Sequence, residues 1–325
     1  VRVALAWKDE RLIGLLPVVT APGLVGRAWR SAYTFGCTPL LDRDHAPEAA
    51  HLIVEALAAA GPREWIVPRV AAEGPATRVL LAALHARAAP HQLRGGFERA
   101  CLERGPSAEA YLRERVGRNR RKGLERVRRR LDEQGRVRHV AIAAPGAELD
   151  AALEAFLALE ASGWKGRAGT ALACTPASAA FARAAFGSAA GEGASRIDLL
   201  LLDERPIAGS LIAFAGRTGF TVKSCYDENL RRCAPGLVLE TEIVRAFLDE
   251  GFAERLDAAT DGPHVLDGLW DGRMPIADLV FSLAPRGAER RLAALLAALD
   301  GLDRTKALAK RLLRRRGAGA PQPAE

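Results

Sequence analysis

The chain has 325 residues, a formal net charge of +8 and 49% hydrophobic residues, so it is long enough for two domains with sizeable cores. No run of about 18 uncharged apolar residues occurs, and the sequence therefore predicts no transmembrane helix. Its five cysteines are odd in number and form no C-x-x-C pair, which favours a reduced, cytoplasmic protein and argues against a metal site. The positive charge suits an anionic partner.

Two stretches of the sequence follow the same pattern. Residues 3–19 and 198–214 each predict a β-hairpin with Asp-Glu-Arg at its turn, and a helix ended by glycine and then a strand follows in both halves. The helices are predicted at 49–60 and 237–250, and the strands start at Glu64 and Glu254. We interpret this as an internal repeat of one α/β unit, although two unrelated hairpins would give a similar pattern.

Residues 107–134 predict one basic helix, capped by Ser107 and ended by Gly135. One narrow apolar stripe runs along it, and most of its charged residues are arginine. The stripe consists of Leu112, Val116, Leu124, Val127 and Leu131. We expect an amphipathic helix that bridges two units, because no aromatic residues interleave with the arginines as they do where single-stranded nucleic acid stacks. The arginines leave a tRNA-binding surface as the alternative.

The remaining elements are predicted from periodicity. Strands are expected at 137–143 and 276–283, and helices at 149–160 and 177–190. The tail over 286–316 predicts two helices broken near Gly301, and the last of them is basic enough for peripheral contact with an anionic membrane. Residues 317–325 are expected to be a flexible end.

The most informative stretch runs from 217 to 251. A strand is predicted from Phe220 to Tyr226, with Phe220, Val222 and Ser224 on one face and Thr221, Lys223 and Cys225 on the other. A basic turn then leads to a helix that opens at Gly236. Free N–H groups and the helix dipole at such a helix start favour a phosphate group.

The turn reads Arg231-x-x-Ala234-x-Gly236. It resembles the acyl-CoA pyrophosphate loop of the GNAT acyltransferase superfamily, Gln/Arg-x-x-Gly-x-Gly/Ala. Alanine replaces the first glycine, which is harmless if the backbone there has a negative φ and damaging if it needs a positive one. The corresponding segment of the first half, residues 35–47, has no such loop, so only the second half is expected to bind the cofactor.

Further motifs, in order, resemble the FemAB-like or CelD-like acetyltransferase group of that superfamily. They span about residues 111–275: Arg118-Asn119-Arg120-Arg121-Lys122, Glu160-x-Ser162-x-Trp164-Lys165, Ile207-Ala208-Gly209, Tyr226-Asp227, Ala234-Pro235-Gly236, Asp257, Asp261-Gly262 and Trp270. Before Trp270, where the group often has lysine, this chain has Asp267-Gly268-Leu269. That departure puts substrate or lipid-carrier phosphate recognition there in doubt.

The resemblance implies an α/β (α+β) fold of two tandem GNAT-like units with mixed, mostly antiparallel sheets flanked by helices. The expected organisation is an N-terminal unit over 1–106 with a degenerate cofactor site, a basic linking helix over 107–135, a C-terminal acyltransferase unit over 136–284 and a basic helical tail over 285–325.

The resemblance also implies direct transfer of an acyl group, typically acetyl, from a CoA thioester to a primary amine such as that of an amino sugar or cell-envelope precursor. Acyl-CoA is the co-substrate, and no metal or nucleic acid is expected. The residues expected at the cofactor are Val222, Lys223, Ser224, Arg231, Arg232, Cys233, Ala234, Pro235, Gly236 and Leu237. Those expected at the acceptor are Trp164, Lys165, Asp227 and Trp270.

Three residues are candidates for proton transfer. Glu160 and Asp261 are candidate bases for the amine, and Tyr226 is a candidate acid for the leaving thiolate. Covalent catalysis by Cys225 or Cys233 is not expected, because the second half offers few histidines to activate a thiol. Two alternatives remain, an aminoacyl-tRNA-dependent transferase of the same fold and a non-catalytic binding module of this fold.

Overall fold

The computed structural model describes residues 1–20, 25–262 and 265–316. It divides the chain into two compact units, one made of residues 1–97 and 275–325 and the other of residues 98–274. In the described part of the chain, no helix is long and apolar enough to cross a membrane. No group of three or more His, Cys, Asp or Glu side chains among those same residues is arranged to hold a metal ion.

The secondary structure alternates between strands and helices throughout the chain. Up to residue 103 the elements are β1 (Arg2–Lys8), β2 (Arg11–Val19), β3 (Gly26–Ala28), β4 (Leu40–Leu41), α1 (Ala46–Ala59), β5 (Glu64–Ala71), α2 (Pro75–Ala86) and β6 (His91–Glu103). The following elements are α3 (Ala108–Glu114), α4 (Arg118–Asp132), β7 (Val137–Ile142), α5 (Ala147–Ser162), α6 (Trp164–Arg167), α7 (Pro176–Phe186), β8 (Ser195–Leu202) and β9 (Arg205–Ala215). The last are β10 (Thr218–Tyr226), α8 (Pro235–Asp249), β11 (Arg255–Asp257), β12 (Gly272–Ser282) and α9 (Ala288–Arg316).

The sheets of the two units follow one order. In the first unit the order is β1-β2-β3-β5-β12, and in the second it is β8-β9-β10-β11-β6, with β7 added outside β8. Each sheet starts with an antiparallel hairpin, and each has one parallel pair, β3 with β5 and β10 with β11. The two predicted hairpins therefore occupy equivalent places, and the mixed α/β fold with helices flanking the sheets is confirmed.

The unit boundaries differ from the predicted segments because two strands divide their residues between the units. The end of β6 pairs with β11 in the second unit, whereas β12 from Pro275 onward belongs to the first unit and pairs with β5. The predicted linking helix lies within the second unit, where α4 packs against α8. Such pairings join residues far apart in sequence, and local periodicity carries no signal for them.

The basic helix predicted over 107–134 is two helices, α3 and α4, separated by an extended Gly117. Arg121 explains the break, because its guanidinium donates to the carbonyl oxygens of Leu112 and Arg113 and so caps the end of α3. The predicted apolar stripe is confirmed, with Leu131 and Leu124 in the core of the second unit.

The tail is one helix, α9, and not two helices broken at Gly301. Arg94 pairs with Asp300 at 2.7 Å and with Asp303 at 2.8 Å, which holds the helix on both sides of that glycine. A glycine inside a helix costs only about 1 kcal/mol relative to alanine, so these contacts are sufficient to keep the helix continuous. The structure does not describe residues 317–325, the predicted flexible end. It also does not describe the side chains of 310–316, which include most of the basic residues predicted to contact a membrane.

Glu240 on α8 is a buried carboxyl group that faces the sheet of the second unit. Burial and, to a smaller extent, the nearby charge of Asp198 together raise its pKa to about 8, and the Ser210 hydroxyl lies 3.5 Å from its Oε1. The folded state therefore binds a proton that the unfolded chain, with a carboxyl pKa of about 4.3, releases. Between these two values the folded state loses stability as pH rises.

We expect Glu240→Gln to remove this loss, because the amide keeps the shape of the side chain and does not ionise. Thermal melting of the parent and the variant at a series of pH values checks this. The melting temperature of the parent should fall, relative to that of the variant, between about pH 4.5 and pH 8. Parallel curves over this range would show that Glu240 does not titrate in the folded protein.

Candidate functional site

The site is built around β10, which has a β-bulge in its middle. Thr221 pairs with Ile212 and Lys223 with Leu211, two consecutive residues of β9, so Val222 is the extra residue. The bulge places Thr221 and Lys223, which a regular strand would put on one face, on opposite faces of the sheet. The predicted alternation therefore fails at this point.

The bulge coincides with a separation of β10 from its other neighbour. Among the described residues, β10 pairs with β11 only from Thr218 to Phe220. From Thr221 onward the side of β10 that faces away from β9 has no partner strand in the described parts of the chain. Backbone N–H and C=O groups at such an opening are free to bind an extended ligand by strand-like hydrogen bonds.

The predicted basic turn follows β10 directly. A 3₁₀ turn from Glu228 to Cys233 is followed by Ala234 and then by α8, whose first residue is Pro235. The side chains of Arg231 and Arg232 are exposed. The Cys233 thiol is half-buried and contacts the carbonyl oxygen of Arg130 at 3.9 Å.

Fewer N–H groups are free at this helix start than the sequence predicts. Ala234 donates to the Arg231 oxygen, Leu237 and Val238 both donate to the Ala234 oxygen, and Pro235 has no N–H. Within the described residues this leaves Gly236 as the one member of 234–238 whose N–H lacks a backbone partner. The anion site therefore consists of one amide, the helix dipole and two exposed arginines.

Ala234, which stands where the Gln/Arg-x-x-Gly-x-Gly/Ala pattern has its first glycine, adopts a left-handed backbone conformation. Its φ of 46° and ψ of 54° are left-handed, a region in which a Cβ atom costs roughly 1–2 kcal/mol. The sequence left open whether φ at Ala234 is negative or positive, and the structure shows the strained, positive value.

We therefore expect Ala234→Gly to stabilise the protein by about 1 kcal/mol, after allowance for the greater flexibility of glycine in the unfolded chain. Urea denaturation of parent and variant measures this change. A loss of stability would show that Ala234 is not strained in solution. By contrast, Leu124→Gly should destabilise the protein, because Leu124 is a buried residue inside the regular helix α4.

A charged cluster lies beside the bulge. It consists of Glu160 at the end of α5, Lys165 on α6 and Lys223 on β10. Glu160 Oε1 lies 3.1 Å from Lys223 Nζ and 3.9 Å from Lys165 Nζ. The side chain of Glu160 is fully buried, and those of Lys165 and Lys223 are about one-fifth exposed, at 21% and 19%. The structure thus brings together three residues predicted for three different roles.

Backbone groups hold this cluster in place. Glu160 Oε2 accepts from the Leu172 N–H at 2.7 Å, Lys165 Nζ donates to the Ser224 oxygen, and Lys223 Nζ donates to the Thr170 oxygen. The loop that contains Thr170 and Leu172 was not predicted as part of the site, because its contributions come from backbone atoms. Burial lowers the pKa of Lys165, and the neighbouring ammonium of Lys223 lowers it further, against the raising effect of Glu160.

Glu228 connects α6 to the basic turn, and sequence reasoning missed it. Its carboxylate accepts from the Trp164 N–H at 2.8 Å and from Arg167 at 2.5 Å. These contacts hold Trp164 next to the turn, with half of its side chain exposed and its ring centroid 5.8 Å from Lys165 Nζ. An exposed aromatic ring at this position is available to a ligand.

Three other predicted residues lie outside this cluster. The ring of Tyr226 lies at the start of α8, where a Cβ added to Gly236 would be 3.5 Å from its Cδ1. Asp227 caps the 3₁₀ turn and pairs with Arg205 at 2.7 Å, which accounts for its carboxylate structurally. Asp261 is half-exposed and lies 3.9 Å from the Arg99 guanidinium.

Burial bears on two further side chains of the sequence analysis. Trp270 is 1% exposed and packs in the core of the second unit, so its assignment to the acceptor is wrong. The sequence misled because an indole fills a core as readily as it binds a ligand. Burial, with a smaller contribution from Glu160, raises the pKa of the Cys225 thiol to about 12, which disfavours its thiolate form.

Comparisons with known proteins agree with this geometry. Residues 118–262, which lie within the second unit, match the family model described as Acetyltransferase (GNAT) domain. This match covers less than half of the chain. A search of curated protein sequences gives no significant match.

Solved structures share the fold over most of the chain. The C-terminal domain of a putative lysylphosphatidylglycerol synthetase from Agrobacterium fabrum is 13% identical, with a TM-score of 0.54 over 88% of this chain and 85% of that one. A conserved protein of unknown function from Bacteroides thetaiotaomicron is 11% identical, with a TM-score of 0.54 over 86% of each chain. FemX is 13% identical, with a TM-score of 0.53 over 90% and 89%. These identities show a common fold only.

Proposed function

We propose that the protein is an acyl-CoA-dependent N-acyltransferase of the FemAB-like or CelD-like group, which moves an acetyl or other short acyl group directly from CoA to a primary amine. The observation that carries this proposal is the bulged, half-unpaired β10 that leads into a basic turn and a helix start. This arrangement offers an extended thioester a strand edge and offers its diphosphate an anion site, in the order in which CoA presents them.

In the proposed reaction the amine nitrogen attacks the thioester carbonyl carbon, and the bond from that carbon to sulfur breaks. An N–H of the bulged segment, residues 222–225, polarises the carbonyl oxygen. The amine loses a proton to Glu160, and the Tyr226 hydroxyl gives a proton to the departing thiolate. Glu160 is preferred to Asp261 as the base because its carboxylate contacts Lys223 of the bulged strand, whereas Asp261 is half-exposed beside Arg99.

The test of this function is thiol release from acetyl-CoA in the presence of amino sugars, amino acids and polyamines, with the acylated product identified by mass spectrometry. Release that requires both the enzyme and an amine supports the proposal. A protein that binds CoA in a calorimetric titration but acylates none of these amines would instead be a non-catalytic binding module.

A second candidate function is transfer from an aminoacyl-tRNA. The exposed face of α4 favours it, because Arg118, Lys122, Arg126, Arg129 and Arg130 are all exposed on this one helix. A solvated basic helix has the same appearance, and no aromatic side chain on α4 offers a base a stacking surface.

We expect no tight tRNA binding at physiological salt. Filter binding at several salt concentrations checks this, with the parent compared with a variant in which Arg118, Lys122 and Arg126 are all replaced by glutamine. Tight binding by the parent that weakens steeply as salt rises, and that the variant loses, would favour the tRNA-dependent candidate over acyl-CoA.

A further inference from the structure

The cluster of Glu160, Lys165 and Lys223 is not electrically balanced. Two ammonium groups share one carboxylate, which leaves one positive charge where the three side chains are 0%, 21% and 19% exposed. A charge that is largely withdrawn from water is costly unless an opposite charge joins it. The one unbalanced positive charge of the cluster matches a single negative charge on a ligand.

The hydrogen bonds of the cluster leave donors for such a ligand. Each ammonium has three N–H donors, and Lys165 uses one on the Ser224 oxygen while lying 3.9 Å from Glu160, too far for a hydrogen bond. Lys223 uses one on the Thr170 oxygen and forms an ion pair with Glu160 Oε1 at 3.1 Å, without the angle of a hydrogen bond. Both ammonium groups can therefore donate to a shared anion.

The position of the cluster indicates whether CoA or the acceptor would carry that negative charge. Lys223 directly follows the extra residue Val222, and Lys165 contacts the next residue, Ser224. The proposed function puts the thioester carbonyl at this bulged segment and the diphosphate at Gly236. The negative charge closest to the reacting atoms is then one on the acceptor, not one on CoA.

Resting on the proposed function, we propose that Lys165 and Lys223 together bind a carboxylate of the acceptor, which is therefore an amino acid or another small amine that carries a carboxyl group. A carboxylate provides the one negative charge and two oxygens that the two ammonium groups require. Amino sugars and polyamines lack this group and are predicted to be poor acceptors.

Matched pairs of acceptors test the inference with the intact protein. Acetyl-CoA thiol release is measured with glycine against glycinamide and with alanine against alaninamide, each pair having similar size and different charge. Because a charged hydrogen bond is worth a factor of tenfold or more, kcat/KM should favour the acid at least about tenfold. Equal rates for acid and amide, or a preference for aminomethylphosphonate over glycine, would overturn the carboxylate assignment.

Variants of the cluster test the residues. Lys165→Met leaves Glu160 paired with Lys223, so the charges balance and the protein should fold. The preference for the acid should disappear, mainly through KM. Lys122→Met on the exposed face of α4 is the matched control and should keep the preference. A preference that survives both Lys165→Met and Lys223→Met would contradict the inference.

A binding measurement separates this inference from the proposed function. Melting temperatures are recorded with N-acetylglycine and with N-acetylglycinamide, the matched products. Stabilisation of the parent by the acid alone, lost in Lys165→Met, supports the carboxylate site even if no amine is acylated. Thiol release with amines, together with equal effects of the two products, supports the proposed function and overturns the inference.

Discussion

Replacing Gly236 with glutamate is expected to abolish CoA binding while the protein still folds. The structure allows a side chain here, because the backbone of Gly236 is helical and an added Cβ would meet the Tyr226 ring at 3.5 Å, an ordinary contact. The glutamate carboxylate would lie close to the Gly236 N–H, which has no backbone partner among the described residues. It would also repel the diphosphate, so binding should fall by more than about a hundredfold if two charged contacts are lost.

Calorimetric titration with CoA measures this loss. Gly236→Ala should fold normally and lose less affinity than Gly236→Glu, because it adds a methyl group and no charge. Arg231→Ala should weaken binding by about tenfold or more, the value of one charged contact. Gly301→Glu on α9 introduces the same change at a position where an added Cβ would contact nothing within 4 Å beyond its chain neighbours and the backbone of its own helix, and it should leave CoA affinity unchanged. CoA binding by a folded Gly236→Glu at parental affinity would refute the site.

Replacing Glu160 with glutamine is expected to lower kcat by about a hundredfold to ten-thousandfold, the usual contribution of a positioned base. The amide retains the size of the side chain but cannot accept the amine proton. It also leaves the two lysines without an anionic partner. If this second effect dominated, the variant would be destabilised and CoA affinity would change together with kcat.

Fixed-time thiol-release assays with saturating acetyl-CoA, together with melting curves, separate the loss of the base from the loss of stability. Glu154→Gln is the matched control, since Glu154 lies on the same helix, is exposed and pairs only with Arg183 among the described residues. Exposed pairs of this kind contribute about 0–1 kcal/mol, so this control should keep full activity. Parental kcat in folded Glu160→Gln would remove Glu160 as the base.

The regular part of the fold was predictable from the sequence because local patterns determine it. The hairpins, α5, α8 and the strand from Phe220 to Tyr226 follow from periodicity and from the glycines at their ends. The break at Gly117 was not predictable, because it depends on Arg121 turning back to cap α3. The continuity of α9 across Gly301 likewise depends on Arg94, more than 200 residues away in sequence.

The candidate site was predictable as a set of residues but not as a geometry. The motifs identified Glu160, Lys165 and Lys223, yet assigned them to separate roles, whereas the structure packs them into one cluster. The bulge at Val222 has no local sequence signal, since it arises from pairing with β9. Burial, which depends on the whole fold, decides that Trp270 is a core residue.

The features proposed to bind CoA belong to the second unit. Both units share one sheet order, but the basic turn with its left-handed residue and following helix belongs to β10 and α8 of the second unit. The segment before α1 in the first unit has no such arginine-rich loop. One CoA per chain is therefore expected.

The most direct test of the central claim is a comparison of CoA with pantetheine by calorimetric titration of the parent protein. CoA should bind at one site per chain, and pantetheine, which lacks the diphosphate, should bind at least about tenfold more weakly. Absence of CoA binding, or equal affinities for the two compounds, would contradict an acyl-CoA diphosphate site at the start of α8.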